Sequence, residues 1–521
     1  MQRSQLKTVS IIFLLAGMFI LLLLGGIPAI YSFIISTRSY MPFQGIFASP
    51  AVGFDNYRQL TSLVIFPQLM GNSFILGVVP SLLAVAVAIP AALVVEGMGA
   101  GRRRLVATFA LLLPAFVPDI VLAFLVQSVF SFQTLANPAL FRVIMVLLLA
   151  IRPAAICAFV GACAAGFFKD KGKTVLYGAA GGVFVGIAAN LVRFLSSNID
   201  LQMLLRNALV LSTTETFDTF SFSHGFVMFN LSLASAAWVF RTLPQMFAAV
   251  LVAFAVAYCV RVGLNAGQTD IYHNEHGSGA GLVPGIIGAL VLVICLFMAV
   301  VFGGGHGTDM LLSAIGSSFI MTFASVILFG ALLLMLAAWL CLNIDRPGAL
   351  ILMLVLAAIV NNIVGEFLFY RLIGIIHTYH AVVLANAINI TFVLPLAYLA
   401  RLNSRGLGSL AGLVRAMLPY FVVFVGLFAA NTWGSSFNQM LFLASGDLMG
   451  VPALMERTMA FGSTPSVGVI LGVTMPVLIF AVVTGFVFVI ANRVTDDINT
   501  VGNEYAKGDV NATSDEYANN I

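Results

Sequence analysis

The residues of this chain that could do chemistry are few, and six of them sit where charge is expensive. Asp119, Arg152, Arg193, Arg241, Glu366 and Arg415 all fall within long apolar runs. A charged side chain at the centre of a membrane helix costs about 2.5–3.5 kcal/mol on insertion scales, so each is expected to face a cavity or a partner. Asp119, Arg152 and Glu366 have Asn361, Asn362, Asn386, Asn389 and Trp433 in neighbouring runs. Carboxylates, amides and aromatic faces suit a polyhydroxylated ligand, which asks for bidentate acceptors and an apolar ring surface. The same charges have a second use, as an Arg–carboxylate clamp between helices. No catalytic role and no metal are expected.

Other motifs carry less. In GFFKDKGKTVLYG (166–178) the GKT ending suggests a phosphate loop. Gly166 and Gly172 are separated by one residue too many for it, and an apolar run precedes them where a strand is needed. A turn between membrane spans is the better reading. The H-x-x-H pairs His273/His276 and His377/His380 lack acidic or thiol companions, and Cys157, Cys163, Cys259, Cys295 and Cys341 all lie inside apolar runs as small core residues.

The elements that must position these groups follow from composition. Charged residues are 8% of the chain and apolar ones 61%, with a mean hydropathy of +1.07; ordinary soluble chains are about 25% charged. A 521-residue chain of this kind has lipid for its solvent, and its long continuous apolar runs read as helices. The expected class is an all-α polytopic membrane protein with about twelve spans. They are placed at 9–35, 69–95, 105–131, 143–166, 177–196 and 232–260, then 282–302, 312–342, 349–370, 381–400, 412–432 and 465–491. The first is too long for a signal-peptide core and is read as a retained helix.

A cytoplasmic N-terminus puts Arg3, Lys7, Arg102, Arg103, Arg104, Lys169, Lys171 and Lys173 inside, with Arg261, Arg346, Arg401, Arg405, Arg493 and Lys507. Only Arg38, Arg58, Arg142, Arg206, Arg371 and Arg457 are then outside, as the positive-inside rule prefers. Both termini are expected in the cytoplasm. The chain also reads as duplicated. GNSFI (71–75) and GSSFI (316–320) each open a span that leads to an Arg-bearing inner turn, and each half has a long polar outer segment, 197–226 or 433–464, before its last helix. The expected organisation is 1–262 and 281–492 as parallel six-helix halves, 263–280 as a cytoplasmic linker and 493–521 as a polar cytoplasmic tail.

VGFDNYRQL (52–60), carrying Gly53, Asn56, Tyr57 and Leu60, and the run Leu113, Pro114, Pro118 resemble the first permease subunit of maltose-type, carbohydrate-uptake ABC importers. TTETFDTFSFSHGF (213–226) is similar to that family's outer segment. The runs 374–401 and 431–447 resemble the partner permease subunit, so both subunits would be fused in one chain. The resemblance implies a permease of a type I importer in a bacterial-type plasma membrane. It implies an extracytoplasmic solute-binding protein and a separate cytoplasmic ATPase dimer that binds ATP. No cofactor belongs to this chain itself, which has no Walker motif, and no nucleic-acid partner is expected.

The coupling loops depart from the family pattern. Its E-A-A-x-x-x-G signature forms the helix that docks on the ATPase. Here Gly406 precedes Pro419 at the family's interval, but Ala400, Arg401 and Leu402 stand where the E-A-A belongs and Arg405 replaces an acidic residue. In the first half Lys169, Lys171, Gly172 and Lys173 occupy the loop's place with little match. The alternative these loops support is a permease-derived receptor or scaffold that no longer transports.

Overall fold

The computed structural model describes residues 2–518 except 99–100, 169–172, 267–307, 361, 404–408, 444 and 461–463. Side chains are described from Thr8 to Asn492, also excepting 173–174, 265–266 and 308–309. Apart from an isolated bridge between Arg38 and Ala51, the described elements are helical. In hydrocarbon a helix satisfies its own backbone, and this chain is an all-α polytopic membrane protein.

Among the described residues eight helices are long and apolar enough to span. They are Thr8–Ser36, Phe66–Glu96, Pro138–Ala165, Val175–Val192, Leu231–Leu264, Met310–Asn343, Leu410–Trp433 and Val467–Asn492. The last is the membrane part of a helix that continues to Ala518. Three expected spans are broken instead, and 282–302 lies outside the described residues. At 105–131 the chain forms Arg102–Ala110, Leu113–Phe116 and Asp119–Val129. Pro118 forces the break: it supplies no N–H and drives Val117 out of the helical region, to ψ 117°. At 349–370 the helices Pro347–Ile359 and Ile363–Leu372 meet at 78°. At 381–400, Tyr379–Ala387 and Val393–Asn403 flank a turn in which Asn389 Oδ1 accepts the Thr391 N–H at 3.1 Å.

Lipid removes the hydrophobic drive between helices, so close packing and polar contacts hold them. Where Pro138–Ala165 crosses Lys173–Val192, a Cβ on Gly182 would meet Ala164 Cβ at 2.7 Å and the Val160 carbonyl at 2.8 Å. The N-terminal and C-terminal parts of the chain interleave. Gln2–Leu21 packs on Thr308–Asn343, Ile27–Ser36 on Ile363–Leu372, and Leu231–Ala266 on Pro347–Ile359. Through the centre runs a continuous series of phenylalanine rings from both halves. Phe329 stacks on Phe428 at 3.8 Å, Phe392 lies 5.2 Å from Phe424, and Phe159 meets Phe424 at 6.3 Å and Phe488 at 5.6 Å.

The repeated pentapeptides do the same work. Ser73 Oγ accepts the N–H of Phe217, first residue of the outer helix Phe217–Phe222, at 3.0 Å. Ser318 Oγ accepts the N–H of Val451, first residue of Val451–Ala460, at 2.9 Å. The 52–60 element fastens the loop after the first span: Asn56 Nδ2 donates to the carbonyls of Ser36 and Arg38, and Leu60 is fully buried. Gly53 takes φ +59°, a conformation that glycine adopts without a Cβ penalty.

Candidate functional site

The broken helices meet at a cavity of about 420 Å3 walled by both halves of the chain. Pro118 releases the backbone just before Asp119, so this carboxylate opens the Asp119–Val129 helix at the cavity wall. Arg152, on the continuous Pro138–Ala165 helix, reaches across to it. Its Nη2 donates to Asp119 Oδ1 at 3.1 Å and to the Val117 carbonyl at 3.3 Å, while Nη1 donates to Oδ2 at 3.4 Å. Asn198 Nδ2 adds a second donor side chain, to Asp119 Oδ2 at 2.9 Å. The expected clamp is therefore present, between this acid and this arginine. In the second half, Glu366 lies in the first turn of Ile363–Leu372, where the helix dipole favours a carboxylate.

The connecting segments that hold Ser197, Asp218, Ser435 and Asn438 also line the cavity, and a second layer of acids joins them. Asp218 pairs with Arg241 and accepts the Ser197 N–H at 3.0 Å. Arg241 is only 2% exposed, so this pair locks the outer helix to the last span of the first half. Asp200 crosses between halves: Ser435 Oγ donates to its Oδ2 at 2.9 Å and the Phe437 N–H to its Oδ1 at 2.9 Å. Beside it, Asn438 Nδ2 donates to Asn386 Oδ1 at 2.7 Å. Burial first, and then the neighbouring Asp119 charge, push Asp200 up to about 7, against the Ser435 and Phe437 donors that favour its ionised form.

Of the sequence candidates, Asp119, Arg152, Glu366, Asn386 and Asn389 come together on this wall. Asn362 and Trp433 do not. Asn362, 1% exposed, donates to the Pro28 carbonyl at 3.1 Å and exchanges hydrogen bonds with Ser32, tying the first span to the bend. A buried amide needs such partners, and here the first span supplies them. Trp433 turns its Nε1 to the Gly472 carbonyl at 3.1 Å and is 3% exposed within the bundle. Arg415 faces neither cavity nor partner side: it is exposed near the start of Leu410–Trp433.

No protein-family model matches the sequence, and neither does any curated protein. Two solved structures are similar over part of it. One is a bacterial ABC transporter involved in the import of the acidic polysaccharide alginate, at 20% identity and a TM-score of 0.37, covering 42% of this chain and 87% of that one. The other is a bacterial alginate ABC transporter in complex with an alginate pentasaccharide-bound periplasmic protein. It shares 17% identity, with a TM-score of 0.33, over 42% of this chain and 85% of its own.

Among the coupling-loop candidates, Lys169, Lys171, Gly172, Arg405 and Gly406 lie outside the described residues, and so does Asn361, a substrate-pathway candidate. Lys173 begins the Lys173–Val192 helix. Arg401 belongs to Val393–Asn403, a helix in which Ala400 is fully buried. Asp200, Asp218, Asn198 and Asn438 were not among the sequence candidates, because they sit in the polar outer segments and find their partners across the chain. A polar outer segment that carries buried-type spacing, Asp200 one residue before Leu201 and Asp218 between two phenylalanine-rich turns, is the signal that could have marked them.

Proposed function

We propose that this chain is the membrane permease of an ABC-type importer for a carbohydrate-like solute, with both permease halves in one polypeptide. The observation that carries the reading is the cavity: a chamber within the helical bundle whose largely apolar wall carries Asp119 and Arg152 from one half and Glu366, Asn386 and Asn389 from the other. Amides and carboxylates at membrane depth are costly to keep and mark a solute path between repeats. Its phenylalanine faces, Phe392, Phe428 and Phe437, suit the apolar face of a sugar ring. In this reading an extracytoplasmic solute-binding protein delivers the solute at the outer segments. Separate cytoplasmic ATPase subunits drive the change of state, in a bacterial-type plasma membrane with both termini inside.

A second reading, a permease-derived receptor or scaffold, is favoured by one observation. Ala400, Arg401 and Leu402 continue the Val393–Asn403 helix, where the family's pattern has the start of a docking helix. A drive needs a contact that distinguishes two states. Purification of the full chain from native membrane decides between them. An ATPase dimer that co-purifies and hydrolyses ATP faster with solute supports the importer; unrelated partners in its place refute it.

A further inference from the structure

We propose that the solute admitted to this cavity carries an ammonium group besides its hydroxyls, and that Glu366 receives it. This rests on the importer reading and adds the charge of the cargo. The cavity's charges do not all cancel within the protein. Asp119 is matched by Arg152, and Asp218 by Arg241. Asp200 is held by a hydroxyl and an amide in the joint between outer segments. Arg193 and Asp218 also stand on the wall.

Glu366 is left over. It is 7% exposed and lines the cavity, and among the described residues no lysine or arginine pairs with it. Its Oε1 takes the Asn362 N–H at 3.2 Å, which leaves Oε2 for whatever enters. The helix N-terminus offsets only a fraction of a unit charge. A buried carboxylate with an open oxygen asks for a cation that also donates hydrogen bonds, and an ammonium is both. The rings of Phe392 and Phe428 on the same wall offer cation–π faces, and Asn386 and Asn389 supply amide groups for hydroxyls.

The test is equilibrium binding to the purified full chain in lipid nanodiscs, with four ring-matched probes: glucosamine, glucose, N-acetylglucosamine and glucuronate. Glucosamine is expected to bind about tenfold or more tightly than the other three, the worth of one charge-assisted hydrogen bond. Glu366→Gln should erase that preference and Glu366→Asp should keep it. Should Glu366→Gln fail to fold, the four-probe comparison on the unaltered chain still decides. Equal binding of glucose and glucosamine, a preference for glucuronate, or an unchanged preference in Glu366→Gln overturns the ammonium assignment and leaves the sugar-importer reading standing. Binding of none of the four overturns both.

Discussion

Asp200 holds two partners from the other half of the chain, and its proton affects how well the folded state tolerates it. Its pKa stands at about 7, raised from 3.8 by burial and then by Asp119, so the folded chain retains a proton that the unfolded chain has lost. The folded state binds more protons across that window, and stability therefore falls as pH rises from about 4 to about 7. Asp200 is partly buried and shares its environment with Asp119, so a loss of about 2 kcal/mol is expected. Thermal unfolding at pH 5 and pH 8 should show the unaltered chain weaker at the higher pH and Asp200→Asn nearly level; an equal slope in both would remove Asp200 as the source. Arg152 presents the opposite problem. Arg152→Ala strands Asp119 beside a membrane cavity and should cost about 2–3 kcal/mol, less than a fully buried pair because the arginine is 27% exposed. Adding Asp119→Asn should recover much of it, and denaturant titration of the single and double variants measures the difference.

Short polar side chains at helix crossings do the corresponding work for elements. Ser73 and Ser318 each receive the first N–H of an outer helix, so Ser→Ala at either should cost about 1 kcal/mol and the two should add, since they share no partner. A strongly non-additive pair would mean that the outer helices move as one. Asn362→Ala should cost more, about 2–4 kcal/mol, because it frees the Pro28 carbonyl and Ser32 while unlacing the bend from the first span. At this scale the sequence was legible wherever a helix is continuous, since length and apolar content alone define a span. It was less legible at the breaks. Pro118 carries a signal for one, and Asn361–Asn362 with Gly365 for another, yet each was bridged by the apolar run around it. The Asp200–Ser435 and Asp218–Arg241 partnerships could not be read at all. Nothing local to Asp200 says that its donors lie in the other half, whereas intramembrane Asp119, Arg152 and Glu366 betray themselves by cost.

For the whole molecule, the expected orientation rests on where the arginines and lysines lie, and labelling tests it. A cysteine at Ser197 and one at Ser514 should react with impermeant reagents from opposite sides of the membrane, Ser197 from outside; reaction from one side for both would overturn the parallel arrangement of halves. The series of phenylalanine rings has a consequence at this scale. Phe392 and Phe428 form part of the cavity wall, and through Phe424 the series continues to Phe159 and Phe488 and away from it. Water does not readily occupy a constriction made only of rings, and ions need water to pass. The stack is therefore expected to hold back ions as well as to pack the helices. Phe424→Ala, which removes the ring shared by Phe392 and Phe159, should make liposomes carrying the chain leak protons or sodium in the absence of any solute. Vesicles as tight as those with the unaltered chain would place the seal elsewhere.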